Sequence, residues 1–356
     1  MGYGALDADI GGIKLRVLIT GGCGFIGSHT VRCALGLESI EILVNLDALT
    51  YSGNPENLID IDDSRYEFVH GSITDYGLVK SIILNKDIDV ILNLAAESHV
   101  DRSISSAQSF VETNVKGTLC LLECVKELGK NGKRIDFIQI STDEVYGSLG
   151  PNDPAFTEES AIKPRNPYAT TKAASDLLVS SFVNTYGISA MITRCSNNYG
   201  PNQFPEKLIP LMVTNAINGR SLPIYGDGMQ IRDWIHVHDH AQGIIASMKG
   251  LVAGRLSPGE VINFGADQEL SNIEIVRTII ELTGSDSLIE HVEDRPGHDR
   301  RYAMGFDKAK RLLDWNPEIP WEEGIKSTVE WYQENDGWIE SVIDGSYHDW
   351  IDEHYG

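Results

Sequence analysis

The residues with the clearest chemical potential are Thr142, Asp143 and Glu144, which directly follow an apolar run at 135–140. The run is short, rich in β-forming residues and bounded by polar ones, which is typical of a buried strand. In an open α/β sheet, ligands bind just beyond the carboxyl ends of the strands. Two carboxyl groups there can act as acid and base on one substrate if their environments separate their pKa values. A solvated turn capped by Thr142 or Asp143 is the alternative.

Tyr168 and Lys172 are a second candidate pair, at the start of a predicted helix that ends near Tyr186. Positions i and i+4 share a helix face. An ammonium group one turn away stabilises phenolate, so we expect Lys172 to lower the pKa of Tyr168. A tyrosine so adjusted is a plausible base for a hydroxyl proton. An ordinary surface Tyr–Lys pair is the alternative.

A glycine-rich turn with the spacing GxxGxxG (Gly21, Gly24, Gly27) links a predicted strand at 15–20 to a helix that begins near Phe25. Glycines allow a tight turn and the close approach of a pyrophosphate, and the helix N-terminus supplies N–H groups. Asp47 ends the next predicted strand (42–46), 20 residues after Gly27. A carboxylate there binds ribose hydroxyls and repels a 2′-phosphate, which favours NAD over NADP. An Asp that merely starts a turn is the alternative.

The elements that must position these residues alternate between strands and helices along the first half of the chain. We predict further strands at 67–70, 90–94 and 188–194 and helices at 75–84 and 110–128. Asn114 is a poor residue for the middle of a helix, so we expect a buried hydrogen bond to hold it. The order predicts an α/β fold, a Rossmann-like doubly wound parallel sheet.

The second half of the chain predicts a smaller mixed α/β domain whose polar stretches suit a sugar or a phosphate. After residue 195 the sequence becomes polar, interrupted by Pro and rich in amide donors. We predict a turn at 223–228, a strand at 231–237, a helix at 239–249 and helical structure from Trp315 to the end. The expected domains are 14–195 for NAD, with 233–260 returning to it, and 196–232 plus 261–340 for the substrate, after a flexible extension at 1–13.

Charge limits the range of partners. The net charge is -23, with 52 acidic residues against 29 Lys and Arg. Such a surface repels nucleic acid and anionic membranes, so we expect neither as a partner. An anionic substrate then needs a local basic pocket. Arg295, His298, Arg300 and Arg301, with Lys207 and Arg232, are the candidate diphosphate clamp, and ordinary surface charge is the alternative.

Cysteine usage and hydropathy indicate a cytoplasmic protein. Five cysteines without a CxxC motif are typical of reduced thiols, and Cys120 and Cys124 are expected as a buried pair rather than a metal site. We expect no bound metal. No apolar run approaches the roughly 20 residues of a membrane span. Residues 1–12 lack the basic start and apolar core of a signal peptide.

Five motifs in order resemble the extended short-chain dehydrogenase/reductase family: GGCGFIG, Asp47, LAAESHVDRS, STDEVYG and YATTK. Three later stretches resemble the nucleotide-sugar 4,6-dehydratases of that family: RCSNNYGPNQFPEKLIP, YGDGMQIRDWIHVHDH and EDRPGHDRRYAM. The resemblance extends from about Lys14 to Trp315. The related 4-epimerases lack the Asp–Glu pair, and the GDP-mannose dehydratases have the Glu without the preceding Asp.

The resemblance implies an NAD-dependent hydro-lyase acting on dTDP-glucose. The implied reaction is oxidation at sugar carbon 4, loss of water across carbons 5 and 6, and return of the hydride to carbon 6, which gives a 4-keto-6-deoxy sugar nucleotide. A UDP- or CDP-glucose dehydratase, a 4-epimerase or decarboxylase, and a non-catalytic NAD-binding protein are the competing hypotheses. The resemblance also implies a homodimer formed through the helices at 110–128 and 167–186.

The resemblance assigns roles to individual residues. Thr142, Tyr168 and Lys172 match the oxidation machinery, and Asp143 and Glu144 match the dehydration pair. Ser72 stands where the family usually has Asp near the adenine, and it can still form a hydrogen bond. The expected cofactor-binding residues are Gly21, Gly24, Phe25, Ile26, Gly27, Asp47, Leu49, Thr50, Ser72, Ile73, Ala95, Ala96, Ser98, Thr113, Tyr168, Lys172 and Asn198. The expected substrate-binding residues are Ser98, Thr142, Asn197, Lys207, Leu208, Pro223, Tyr225, Arg232, Asn263, Arg295 and His298.

Overall fold

A parallel seven-stranded sheet forms the centre of the computed structural model, which describes residues 12–294 and 298–343. The strands of the chain are β1 (Leu15–Thr20), β2 (Ile40–Asp47), β3 (Tyr66–His70), β4 (Val90–Asn93), β5 (Asp136–Thr142), β6 (Ala190–Cys195), β7 (Asn197–Tyr199), β8 (Leu222–Tyr225), β9 (Ile231–His236), β10 (Val261–Phe264), β11 (Glu269–Ser271) and β12 (Ile289–Val292). The large sheet has the order β10-β6-β5-β4-β1-β2-β3. The predicted doubly wound α/β fold is confirmed.

The helices are α1 (Phe25–Leu35), α2 (Tyr76–Asn85), α3 (Val100–Ser105), α4 (Gln108–Phe110), α5 (Thr118–Lys130), α6 (Pro167–Tyr186), α7 (Leu208–Ile217), α8 (Val237–Val252), α9 (Asn272–Thr283), α10 (Asp307–Leu313), α11 (Trp321–Glu334) and α12 (Asp336–Val342). Helices α1, α8 and α10 pack on one face of the large sheet, and α2, α5 and α6 pack on the other. Successive residues of a strand point to these two opposite faces. Val17 and Ile19 of β1 enter one core, and Leu18 enters the other. Within the described residues, no helix combines the length and apolarity that a membrane span needs.

A second lobe contains the three-stranded sheet β11-β9-β7 and the two-stranded sheet β12-β8. Its core includes residues of α7, α9, α11 and α12, and Tyr199 packs on Trp321 with ring centroids 4.9 Å apart. We call the large sheet with its helices the first lobe. The expected assignment of residues 261–340 to the second domain needs a correction, since β10 is an edge strand of the large sheet. Ala309 and Trp315 also pack in the core of the first lobe.

The predicted helix at 110–128 is interrupted by a π-helical segment, Val111–Gly117. Asn114 lies in this segment, and it is 2% exposed. Its Oδ1 accepts from Glu97 N at 2.9 Å, and its Nδ2 donates to Thr171 Oγ1 at 2.9 Å. The predicted buried hydrogen bond is therefore confirmed. Such segments often occur at functional sites, and this one lies beside the cleft described below.

Other boundaries differ from those predicted. The strand before the acidic pair extends to Thr142. The turn predicted at 223–228 begins too early, since Leu222–Tyr225 is a strand. The last helical region begins at Trp321 rather than at residue 315. The predicted flexible extension lies largely outside the described residues.

Candidate active site

A cleft opens at the carboxyl ends of β1, β2, β4, β5 and β6, where most of the expected site residues meet. Of the cofactor residues, Gly21, Gly24, Phe25, Ile26, Gly27, Asp47, Thr50, Ser72, Ile73, Ala95, Ala96, Ser98, Thr113, Tyr168, Lys172 and Asn198 line it. Leu49 does not line the cleft. Of the substrate residues, Ser98, Thr142, Asn197 and Lys207 line it, together with Asp143 and Glu144.

The glycine-rich turn brings the N-terminus of α1 against the end of β1. Gly21 has φ +71°, a conformation that favours glycine. A Cβ on Gly27 would lie 2.0 Å from Gly21 O, so only glycine permits this helix–strand contact. The helix begins at Gly24 with no side-chain cap and no acidic residue in its first turn. Its first N–H groups therefore suit an anionic group such as a pyrophosphate.

Asp47 links the second strand to this turn. Its Oδ2 accepts from Cys23 N at 2.9 Å, and its Oδ1 accepts from Leu49 N at 2.8 Å. Burial raises the pKa of Asp47, while these two backbone N–H groups act against the increase. Each carboxylate oxygen accepts more than one hydrogen bond, so ribose hydroxyls can still bind. The arrangement fits a dinucleotide.

Ser72 lines the same end of the cleft, and its hydroxyl is 2.8 Å from the Thr74 hydroxyl. Thr74 N also donates to Ser72 Oγ, at 3.2 Å. The side chain is thus already engaged in a local turn. Its hydroxyl remains able to form one further hydrogen bond towards a ligand.

Asp143 and Glu144 are neighbours in sequence, but their surroundings differ. Asp143 is 2% exposed, its Oδ1 accepts from Thr142 Oγ1 at 3.1 Å, and its Oδ2 has no hydrogen-bond partner among the described residues. Burial, followed by the charge of Glu144, raises the pKa of Asp143 well above its usual value. The Glu144 side chain is partly exposed, and its Oε2 accepts from Asn166 Nδ2 at 2.9 Å. Asp143 is therefore suited to be a proton donor, and Glu144 a carboxylate base.

Tyr168 and Lys172 both lie on the buried face of α6. Burial, followed by the charge of Glu144, raises the pKa of Tyr168 well above its usual value, and a hydrogen bond with Thr142 acts against the increase. The pKa of Tyr168 is therefore raised overall, whereas the sequence led us to expect a lowered value. Lys172 Nζ donates to Ile140 O at 2.6 Å, and burial lowers the pKa of Lys172 itself.

The predicted substrate residues fall into two groups. Lys207 lines the cleft, and its Nζ donates to Ser98 O at 3.1 Å. Arg232 lies beyond the cleft lining with its guanidinium 4.4 Å from the centre of the Tyr302 ring, and its charge acts against the increase in the pKa of Asp143. The expected residues outside the lining are Leu208, Pro223, Tyr225, Arg232, Asn263 and His298, and Arg295 lies outside the described residues.

Asn263 lies outside the cleft lining, in β10, where it is 0% exposed. Its Oδ1 accepts from Tyr146 Oη at 2.9 Å, and Tyr146 belongs to a buried cluster with Val145 and Phe156. Arg300 and Arg301, which belong to the predicted clamp, also lie outside the cleft lining. Arg300 pairs with Asp227 at 2.9 Å and Arg301 pairs with Glu269 at 2.6 Å, both away from the cleft lining.

Sequence reasoning missed several cleft residues, of which Glu206 is the most notable. It is 3% exposed, and Arg102 Nε donates to its Oε2 at 3.1 Å. Burial raises the pKa of Glu206, while the charges of Lys207 and Arg102 act against the increase. Its place beside Lys207 in the FPEKLIP stretch was the available signal. The other missed lining residues are Leu46, Ala48, Ser52, Gly53, Gly71, Leu94, Glu97, Ile140, Ser141, Cys195, Ser196, Gln203 and Phe204.

Known proteins resemble the chain over nearly its whole length. A family model described as GDP-mannose 4,6 dehydratase matches residues 18–328. The dTDP-glucose 4,6-dehydratase of Shigella flexneri is 45% identical over 96% of this chain and 99% of its own, and the dTDP-glucose 4,6-dehydratase 1 of Escherichia coli K12 is 44% identical over the same shares.

Solved structures agree with this similarity. DesIV of Streptomyces venezuelae, a dTDP-glucose 4,6-dehydratase with NAD and TYD bound, has a TM-score of 0.86 at 44% identity, covering 92% of this chain and 100% of its own. The UDP-glucose 4-epimerase of Thermotoga maritima has a TM-score of 0.81 at 28% identity, covering 90% and 99%. The chain therefore belongs to the GDP-mannose 4,6 dehydratase family, and dTDP-glucose 4,6-dehydratases are among its relatives.

Proposed function

We propose that this chain is an NAD-dependent hydro-lyase that converts dTDP-glucose to dTDP-4-keto-6-deoxyglucose. The observation that most favours dehydration is the pair formed by Asp143 and Glu144 at the end of β5. One carboxyl group is buried with a raised pKa, and the other is partly exposed and hydrogen-bonded. Such a difference supplies an acid and a base at one place, as elimination of water requires.

The dinucleotide cradle and the catalytic residues share one cleft, so each side chain can be given a role. Bound NAD supplies the hydride acceptor at sugar carbon 4 and the hydride donor at carbon 6. Tyr168 takes the proton of the carbon 4 hydroxyl, and Thr142 bonds the same oxygen. Lys172 stabilises the tyrosinate. The resulting ketone acidifies the hydrogen at carbon 5, because the carbanion becomes an enolate.

Elimination then falls to the acidic pair. Glu144 removes the proton from carbon 5 as a carboxylate. Asp143, protonated because its pKa is raised, donates to the hydroxyl that leaves carbon 6 as water. When the hydride returns to carbon 6, carbon 5 takes up a proton, which completes the 4-keto-6-deoxy sugar. These roles rest on the environments of the two carboxyl groups and on the family's motifs at the same positions.

The test is the mass and identity of the product. Purified protein incubated with dTDP-glucose should yield a sugar nucleotide lighter by one water molecule. A product of unchanged mass would indicate epimerisation, and loss of carbon dioxide would indicate decarboxylation; either result would overturn the proposal. UDP-glucose and CDP-glucose, assayed side by side with dTDP-glucose, test the choice of base, and we expect dTDP-glucose to have the highest kcat/KM.

We further propose a homodimer formed through the π-helical segment, α5 and α6. Large apolar side chains are exposed there: Val111 (50%), Leu119 (37%) and Leu177 (60%). Their exposure leaves an apolar surface on the helices that form the dimer contact in the resembled family. A cytoplasmic location is also proposed, and it is supported by five cysteines that are all buried and free of disulfides.

The division into two functional domains is likewise a proposal. We assign the first lobe to NAD, including α8, β10 and the segment around α10. We assign the second lobe to the nucleotide sugar. The support is that the cleft lies at the carboxyl edge of the large sheet, while Asn197 and Lys207 enter it from the beginning of the second lobe.

A further inference from the structure

The two last described helices, α11 and α12, join the lobes in a way that the proposed chemistry does not explain. Trp338 and Tyr332 belong to the core of the second lobe, where Trp331 packs on Trp338 with ring centroids 5.1 Å apart. The polar atoms of both residues, however, bond to segments that border the cofactor cleft.

The first connection runs from Trp338 to the glycine-rich turn. Trp338 Nε1 donates to Asn57 Oδ1 at 2.7 Å, and Asn57 Nδ2 donates to Cys23 O at 2.8 Å. Asn57 is 2% exposed and lies in the 3₁₀ turn Pro55–Leu58. Because an indole nitrogen can only donate, it fixes the amide with its oxygen towards Trp338 and its NH2 towards Cys23.

Cys23 directly precedes Gly24, the N-cap of α1. Its N–H donates to Asp47 Oδ2 at 2.9 Å, and its carbonyl also accepts from Asn54 N at 3.0 Å. The peptide groups around Cys23 are thus held from both sides. Asn57 therefore supports the turn whose N–H groups suit the pyrophosphate, and this turn is bonded to the carboxylate that suits the ribose.

A second connection reaches the other end of the cleft. Tyr332 Oη donates to Gln203 O at 2.6 Å, and Gln203 Nε2 donates to Asn198 O at 3.0 Å. Gln203 and Asn198 both line the cleft. One pair of helices thus supports the cofactor cleft at two separate places.

We propose that Trp338 is a positioning residue for the cofactor: through Asn57 it holds the glycine-rich turn in its binding conformation, so that α11 and α12 slow the release of NAD. This inference rests on the proposed function, in which NAD must remain bound through a full catalytic cycle. It assigns a task to a C-terminal region whose sequence contains none of the family's motifs.

The test is the rate of NAD dissociation, followed by exchange with labelled NAD in the full-length protein. Trp338→Phe retains an aromatic ring in the core but removes the N–H donor. We expect NAD release to accelerate about three- to tenfold, the effect of one lost hydrogen bond. Asn57→Ala, which removes the same connection from its other side, should give a similar increase, and the double variant should show less than the sum of the two effects.

Trp331→Phe is the matched control, since Trp331 lies in the same aromatic cluster and makes no hydrogen bond to the first lobe among the described residues. We expect it to release NAD at the rate of the unmodified protein. With NAD at saturation, Trp338→Phe should retain its kcat while needing more NAD to reach it. Unchanged NAD release in Trp338→Phe, or equal acceleration in Trp331→Phe, would overturn the inference. An unmodified protein that binds no NAD would overturn the proposed function and this inference with it.

Discussion

Two adjacent carboxyl groups acquire different properties because the chain turns between them. Thr142 ends β5, and the 3₁₀ turn Asp143–Tyr146 follows at once. Both residues line the cleft, but Asp143 is almost fully buried, whereas Glu144 is partly exposed and accepts from Asn166 Nδ2. Desolvation disfavours the charged form of an acid, so burial raises the pKa of the inner carboxyl group.

The first prediction at this scale concerns Asp143→Asn. Burial raises the pKa of Asp143, so at neutral pH this carboxyl group ionises more readily in the unfolded state than in the folded state. The difference lowers the free energy of unfolding. The loss of stability disappears below the unfolded pKa of about 3.8. We expect the variant to be more stable by about 1–3 kcal/mol near neutral pH. The gain should shrink as the pH falls towards 4. Denaturant unfolding at several pH values measures it.

The same variant should lose dehydration by about a hundredfold or more, since the proton donor is missing. Reduction of the nicotinamide on mixing with dTDP-glucose, seen by its absorbance, should persist. Normal product formation by Asp143→Asn would remove Asp143 from the proposed mechanism.

Tyr168→Phe provides the contrasting prediction. Without the phenol, the proton of the carbon 4 hydroxyl has no acceptor, so kcat should fall by about 10²–10⁴. Unlike Asp143→Asn, this variant should show no nicotinamide reduction when mixed with substrate. Turnover close to that of the unmodified protein would place the base elsewhere.

At the scale of elements, the start of α6 organises the catalytic face. Asn166 caps the helix by accepting from Ala169 N at 2.8 Å, and its Nδ2 bonds to Glu144. Pro167 occupies the first turn, where its missing N–H costs nothing. The cap thus fixes where the helix begins and, with it, the position of Tyr168 relative to Glu144.

The contact between α1 and β1 yields a prediction about Gly27. Alanine usually stabilises a helix relative to glycine by up to about 1 kcal/mol. A Cβ at Gly27 would instead meet the backbone of Gly21 at 2.0 Å. Gly27→Ala should therefore be destabilised and should lose NAD affinity. Gly129→Ala is the control, because a Cβ there meets nothing within 4 Å. Thermal unfolding without NAD should shift in opposite directions for the two variants.

At the scale of the whole molecule, buried histidines link stability to pH. His236 is 7% exposed, and burial lowers its pKa to about 3. As the pH falls, His236 takes up a proton in the unfolded state before it does so in the folded state. The free energy of unfolding therefore decreases below about pH 6.5. At about pH 5, His236 alone should lower the free energy of unfolding by about 2 kcal/mol.

His236→Gln removes that contribution. The loss of unfolding free energy between about pH 7.5 and pH 5 should be smaller in this variant by about 2 kcal/mol than in the unmodified protein. The same substitution at His70, an exposed residue, is the control and should leave the difference unchanged. Urea unfolding at both pH values gives the comparison, and equal pH dependence in all three proteins would contradict it.

Assembly belongs to the same scale. Leu177→Asp places a charge on the proposed dimer surface of α6 and should shift the protein to monomers in light scattering. Leu288→Asp is the control, since Leu288 is 78% exposed in the second lobe, away from that surface. A dimer that survives Leu177→Asp, or a protein that is monomeric throughout, would contradict the proposed interface.

The sequence by itself determined the order of the first-lobe elements, the glycine-rich turn with Asp47, and the residue types of the catalytic set. These features depend on the periodicity of neighbouring residues and on short spacings between them, and both can be read directly from the sequence. It also indicated that Asn114 needed a buried partner, because an asparagine inside a helix is costly without one.

Only the tertiary structure decided what depends on contacts between distant segments. It placed β10 in the large sheet, buried Asn263 against Tyr146, and paired Arg300 and Arg301 with carboxylates. It raised the pKa of Tyr168 instead of lowering it, because burial and then the charge of Glu144 both disfavour the phenolate. It also joined Trp338 to Asn57 across 281 residues, a contact that local spacing cannot encode.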